Sequence, residues 1–150
     1  MTTIKLITII KAPIETCFDL ARDIDFHMIS AEETKEKAIS GRTIGKCELG
    51  DKITWEANHF GIRQKLSVEI TKFNKPFFFQ DEMTKGVFKK MRHEHFFEQK
   101  DGLTTMIDYL HYEAPFGTIG KIFDRVILKN YLTKFLLTRN TALKSKSENN

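Results

Sequence analysis

The sequence predicts an α+β domain: a curved antiparallel sheet of about seven strands wrapped around a long C-terminal helix, with two short helices after the first strand. Three observations predict it. Between residues 36 and 113, segments of alternating apolar and polar residues are joined by short turns, the pattern of an antiparallel meander with one dry face. Residues 118–143 contain no proline and only one glycine, Gly120, with apolar residues at helical spacing. A sheet with one apolar face needs a cover, and this last segment is the only one long enough to supply it. A strongly twisted sheet curls around such a helix, and the gap between them is where a cavity of ~300–1,000 Å³ is expected.

The elements follow in order. Residues 3–11 are rich in β-branched residues and read as a strand that Ala12-Pro13 ends. Pro13 suits a first helical turn, and Ile14, Cys17, Phe18 and Ala21 then share one helical face. A second short helix or irregular segment is expected near 24–34. Residues 36–43 have weak strand character. In 48–59, Ile53, Trp55 and Ala57 alternate with Lys52, Thr54, Glu56 and Asn58. Phe60-Gly61 turns the chain, and 62–73 places Ile62, Leu66, Val68 and Ile70 on one side. Asn74-Lys75-Pro76 marks the next turn, before a strand at 77–84. Residues 87–98 and 103–113 form a hairpin about Asp101-Gly102. In the final helix, Ile119, Phe123, Val126, Asn130 and Leu137 are expected on the sheet-facing side, flanked by Ile122 and Ile127.

At 150 residues the chain fits a single domain, expected over 1–143, with 144–150 as a polar, disordered tail. Thirteen Phe against one Trp and three Tyr suit a wide core or the wall of an apolar pocket. The net charge of +4 is too small to imply nucleic acid, and no basic stripe interleaved with aromatics occurs. The first residues do not read as a leader, and no segment approaches the roughly 20 apolar residues of a membrane span. A cytoplasmic location with Cys17 and Cys47 reduced is therefore expected.

A family resemblance rests on particular residues. They are Ala12-Pro13 with Phe18, Gly50-Asp51 with Thr54-Trp55, Phe60-Gly61, and Pro76 followed by Phe79. Further along they are Gly86-Val87-Phe88 followed by His93, His95 and Phe97, then Gly102, Thr104, Asp108, Tyr112, Pro115 and Gly117. Across nearly its whole length the chain resembles the START-like (SRPBCC) superfamily, which includes the birch-pollen allergen fold and polyketide cyclases, and especially its bacterial ligand-binding branch. The resemblance implies a helix-grip fold with a hydrophobic cavity. It implies binding or carrying of a small hydrophobic molecule such as a lipid, isoprenoid, quinone or polyketide. The alternative is a cofactor-independent polyketide cyclase or dehydratase. A monomer or homodimer, without nucleic acid, cofactor or stable membrane insertion, is expected.

The sharpest polar signal lies on the 87–113 hairpin. His93, His95 and Phe97 share one strand parity against Glu94 and Glu98, so the imidazoles are expected to point inward. Met106, Asp108 and Tyr112 share the inward parity of the next strand, and a turn at Asp101-Gly102 sets His95 opposite Asp108. Such a pair can exchange protons, anchor a polar atom of a ligand, or simply satisfy itself in the core. The expected cavity wall also takes Trp55, Ala57, His59, Leu66, Val68 and Met83 from the sheet, and Phe123, Ile127 and Asn130 from the helix. His93 and His95, even with His59, fall short of a zinc donor set, so no metal is expected. Lys121, Arg125, Lys129, Arg139 and Lys144 read as a solvated helix face, with phosphate or membrane attraction the lesser reading. No GxSxG elbow, phosphate loop or dinucleotide fingerprint occurs, so no catalytic residue is assigned.

Overall fold

The computed structural model describes residues 1–149. Seven strands form one antiparallel sheet in the order β1-β7-β6-β5-β4-β3-β2. They are β1 (Thr2–Ile10), β2 (Lys37–Gly41), β3 (Lys52–His59), β4 (Ile62–Asn74), β5 (Phe78–Lys85), β6 (Lys90–Lys100) and β7 (Leu103–Glu113). Helices α1 (Ile14–Ala21) and α2 (Ile24–Ser30) follow β1, and one 3-10 turn (Glu32–Thr34) precedes β2. The chain ends in a continuous helical run: α3 (Gly117–Phe123), a π turn (Asp124–Leu128) and α4 (Lys129–Glu148). This is the expected curved sheet and covering helix, the helix-grip arrangement.

Local chemistry accounts for the joints. Asp101 and Gly102 both take positive φ, 53° and 77°, the conformation that a two-residue hairpin needs and that these residue types tolerate. They set the register of the longest hairpin, in which His95 faces Asp108 as expected. Asp23 caps α2 by accepting from the Phe26 N–H. Phe18 is the hub of the main core: its ring meets Phe73, Phe79 and Phe97 edge-on at centroid distances of 5.5, 5.4 and 5.3 Å. Leu143 of α4 joins this cluster, which pins the last helix across α1 and the sheet. Both cysteines are free and buried, and burial pushes the Cys47 thiol up to about 12.

Two expectations are corrected at the C-terminus. Residues 144–148 are the last turn of α4 rather than a tail. Ser147 is buried, and the Lys144 ammonium donates to the Ile9 carbonyl and to Glu148, which tie this turn to the end of β1. The rest of the expected tail includes Asn150, which lies outside the described residues.

The helix is also turned the other way. Its buried side runs Gly120, Asp124, Leu128, Leu136, Asn140, Leu143 and Ser147. Ile119, Phe123, Val126, Asn130 and Leu137, with Ile122 and Ile127, are exposed. The helix carries apolar residues on both sides, so periodicity admits two phases. Contacts at its start choose one. A Cβ at position 120 would lie 1.6 Å from the Pro115 carbonyl oxygen, so only glycine can face the turn that leaves β7. Asp124 then points inward to accept from the Tyr112 hydroxyl at 2.6 Å, and from Thr2. No helix of the described residues is long and apolar enough to cross a membrane.

Candidate ligand-binding site

A hollow of about 160 Å³ lies between the inner face of the sheet and the C-terminal helix. Its apolar wall is Trp55, Ala57, Leu66 and Val68 from β3 and β4, Met91 and Leu110 from β6 and β7, and Leu128, Leu132, Phe135 and Leu136 from the helix. It is smaller than expected, and close to the roughly 150 Å³ apolar cavity known to admit a benzene ring. A second hollow of about 70 Å³ adjoins it, and the two share His27, Trp55, Val68, Asp81, His93 and Arg139. Near the outer end stand Phe60 and Lys65, both exposed.

The inner end is polar. Asp81, His93 and Asp108 project inward from β5, β6 and β7, and His95 lies one inward position further along β6. His95 Nε2 meets Asp81 Oδ2 at 2.9 Å, while its Nδ1 stands 3.3 Å from Asp108 Oδ1 without hydrogen-bond geometry. His93 Nε2 meets Asp108 Oδ1 at 2.9 Å, and Asn140 Nδ2 donates to Asp108 Oδ2 at 2.7 Å. The two imidazoles lie against each other, tilted by 31° with centroids 3.8 Å apart. Arg139 reaches in from α4 with its side chain 12 % exposed, and its nearest anion is Asp108 at 3.6 Å. No hydrogen bond engages that guanidinium among the described residues, although it lines both hollows.

Electrostatics separates the groups. Burial by itself would raise the Asp108 carboxyl, but His93 and His95 outweigh it and hold the group well below its usual range. Asp81 is likewise lowered, the bond with His95 overcoming burial. Burial and the neighbouring His95 charge push His93 down to about 4. Burial works against a charged His95 too, but the carboxylates of Asp108 and Asp81 win and raise it. The directions of these shifts keep both carboxylates charged, favour the neutral form of His93 and favour the protonated form of His95, beside the Arg139 guanidinium. On the opposite wall Glu36 is held low despite burial by His27, whose Nε2 lies 2.8 Å away. His59 meets the Tyr131 hydroxyl at 2.6 Å, and burial lowers its pKa.

Asp81, His93 and His95 offer one donor atom each within 4.8 Å of one another, the two-histidine, one-carboxylate set of some metal sites. The charges argue against that use. A divalent ion there would compete with the contact between His95 and Asp81 at 2.9 Å and would stand near the Arg139 guanidinium, which lies 3.6 Å from Asp108.

Of the residues expected on the cavity wall, Trp55, Ala57, His59, Leu66, Val68 and His93 line the larger hollow, and His95 the smaller. Asp108 is wholly buried behind the histidines, and Tyr112 is wholly buried on Asp124. Phe97 and Met106 pack in the Phe18 core. Met83 lies beside Gly86 near the end of β5, off both walls. Phe123 leans on Phe60, while Ile127 and Asn130 face outward, as the reversed helix phase requires. Sequence reasoning missed Asp81, which shares the parity of Phe79 and Met83 and was thus within reach. It missed Arg139, assigned to the solvated face, because the expected helix phase leaves Leu136, three residues before it, off the buried side. His27 lies on the short helix α2 and Glu36 in the connection just before β2, neither with a periodic signal.

No family model and no curated protein matches the sequence. Solved structures do. The Thermus thermophilus protein TTHA0849 superposes with a TM-score of 0.75 at 16% identity, covering 97% of this chain and 99% of that one. A START superfamily protein of Mycobacterium smegmatis gives 0.73 at 13%, covering 98% and 97%. The major latex-like protein 151 of Panax ginseng gives 0.69 at 15%, covering 97% of each chain. The fold is START-like. At these identities the likeness speaks for the fold alone, and in such a frame the gap between sheet and long helix is the natural position for a ligand.

Proposed function

We propose that this START-like protein is a cytoplasmic binder of a small, mainly apolar molecule that carries one hydrogen-bond-accepting oxygen. The observation that carries the reading is Arg139: a guanidinium with its side chain 12 % exposed, 3.6 Å from Asp108 but free of hydrogen bonds among the described residues, that lines both hollows. A guanidinium with unused donors facing an apolar space gains a charge-assisted hydrogen bond from an acceptor on a ligand. With three carboxylates nearby, at Glu36, Asp81 and Asp108, a neutral carbonyl fits better than an anion. The volume suits a single ring, or the head of a longer molecule whose tail leaves past Phe60. Quinones and polyketide-like rings carry such a carbonyl on an apolar body; a plain isoprenoid or lipid chain does not.

The test compares two probes of like shape, acetophenone and α-methylstyrene, the second having CH₂ in place of the oxygen. Binding followed by chemical-shift changes should favour the ketone by about tenfold, the value of one charge-assisted hydrogen bond of ~1.4 kcal/mol. In Arg139→Met the preference should vanish while α-methylstyrene binds as before. Binding of neither probe, or a preference that survives the substitution, refutes the reading.

A second reading has its own observation: His95 stands between two carboxylates, one of which, Asp81, reaches the hollow. This arrangement can take a proton from the carbon beside a bound carbonyl and return it, the elementary step of cyclase or dehydratase chemistry. Deuterium exchange into the acetophenone methyl group, faster than in buffer and abolished in Asp81→Asn, would support it. Exchange at the buffer rate leaves a binder.

A further inference from the structure

We propose that α3 and the π turn form a docking face for anionic membrane surfaces. The residues are Phe116, Ile119, Ile122, Phe123, Val126 and Ile127, all exposed; Ile119 is 77 % and Val126 63 % accessible. From Ile119 on, they recur at i, i+3, i+4, i+7 and i+8, the apolar stripe of an amphipathic helix, here pointed away from the core. Solvent gains nothing from such a stripe, and single exposed apolar residues are ordinary whereas contiguous ones mark a contact surface.

Charge selects the occupant. Lys121, Arg125 and Lys129 are exposed and recur every four residues beside the stripe. The one acidic residue of 116–130, Asp124, is buried and occupied by Tyr112 and Thr2. The outer surface of this segment is thus apolar and uniformly positive, the composition of helices that lie in the headgroup region of anionic bilayers. A second copy of the chain would bring the same cations face to face, which disfavours it. Phe60, at the outer end of the hollow, meets Phe123 edge to face with centroids 5.6 Å apart, so the face adjoins the way into the site. A molecule that partitions into lipid would then meet the hollow without crossing water.

Co-sedimentation with vesicles of phosphatidylcholine, alone or mixed with phosphatidylglycerol, tests this in the absence of any cavity ligand. The protein should partition strongly only onto the anionic vesicles and leave them at high salt. Lys121→Gln with Arg125→Gln should weaken partition about fivefold per charge removed. Ile119→Ser with Ile122→Ser should abolish most of the remainder, with the melting transition unchanged. Should that pair disturb folding, Val126→Ser gives the same readout singly. Three results overturn the proposal: no partition onto any composition, partition indifferent to both sets of substitutions, or a dimer in sedimentation equilibrium that the isoleucine variant dissociates. The probe-binding assay with acetophenone is independent of vesicles, so the two proposals fail separately.

Discussion

Between Gly117 and Leu128 the C-terminal helix turns its isoleucines outward and buries Asp124, whereas between Lys129 and Glu148 it buries Leu136 and Leu143 and turns lysines outward. The two stretches are parts of one helix under one sheet. What differs is the floor beneath them. The first meets the end of β7 and the start of β1, where Tyr112 and Thr2 offer hydroxyls, so a carboxylate is the group that fits. The second meets the apolar hollow and the Phe18 core, where leucine fits; of its polar members, Arg139 and Asn140 go inward toward Asp108, and Ser147 is buried at the helix end. Burial in this protein thus follows complementarity to the partner surface more than hydrophobicity of the segment.

The largest expected effect lies where α4 meets the strands. Asp108→Ala leaves His93 and Asn140 without their acceptor and His95 and Arg139 without a neighbouring anion, and should cost about 3–5 kcal/mol in urea unfolding. A loss under about 1 kcal/mol would show that the network contributes little to the fold. Next, Leu136→Ala should cost about 2–5 kcal/mol, while Leu137→Ala, one residue on but outward, should stay within about 0.5 kcal/mol. Equal losses would mean that both residues are covered, against the contrast drawn here.

The pH dependence probes the same end of the helix. His93 is depressed, so below its ordinary value the unfolded chain takes up a proton that the folded chain refuses. Stability should fall as pH drops from about 6.5 to about 4, by up to about 1.4 kcal/mol per unit. Asp108 and Asp81 are also depressed, so their contribution is present above the ordinary carboxylate value and is lost as pH falls further. His95 is raised, so its contribution is present below its ordinary value and fades as pH climbs above it. His93→Gln should make the limb between about 6.5 and 4 shallower, the lowered His59 keeping part of it, and leave the lower one. Urea midpoints across that range check it.

The smallest effects belong to the first half. Tyr112→Phe removes one donor to Asp124 but leaves Thr2, and should cost about 1–2 kcal/mol. Ile122→Ser should change stability by less than about 0.5 kcal/mol. A larger loss there would mean that the outward stripe is covered within the monomer, and would blunt the contrast between the two stretches.

Much of the inner surface is legible in the sequence. Strand parity correctly puts Trp55, Ala57, Leu66, Val68 and His93 inward, because alternation along a strand has a period of two and a slip reverses every side chain at once. Asp101-Gly102 sets the register that brings His95 to Asp108. The helix is harder: with apolar residues on two sides, its periodicity does not say which side is core. The opposite choice of phase is what displaced Phe123, Ile127 and Asn130 from the site and concealed Arg139.

The sequence by itself determined the element order, the antiparallel sheet, the covering helix and the inward histidines, since these rest on local turn chemistry and short-period patterns. Only the tertiary structure decided which histidine bonds which carboxylate, that Asp81 and Arg139 complete the polar end, and how small the hollow is. Those depend on distances between side chains from β5, β6, β7 and α4, and such distances follow from close approaches, like that of Gly120 to Pro115, which leave no mark on the pattern of polar and apolar residues.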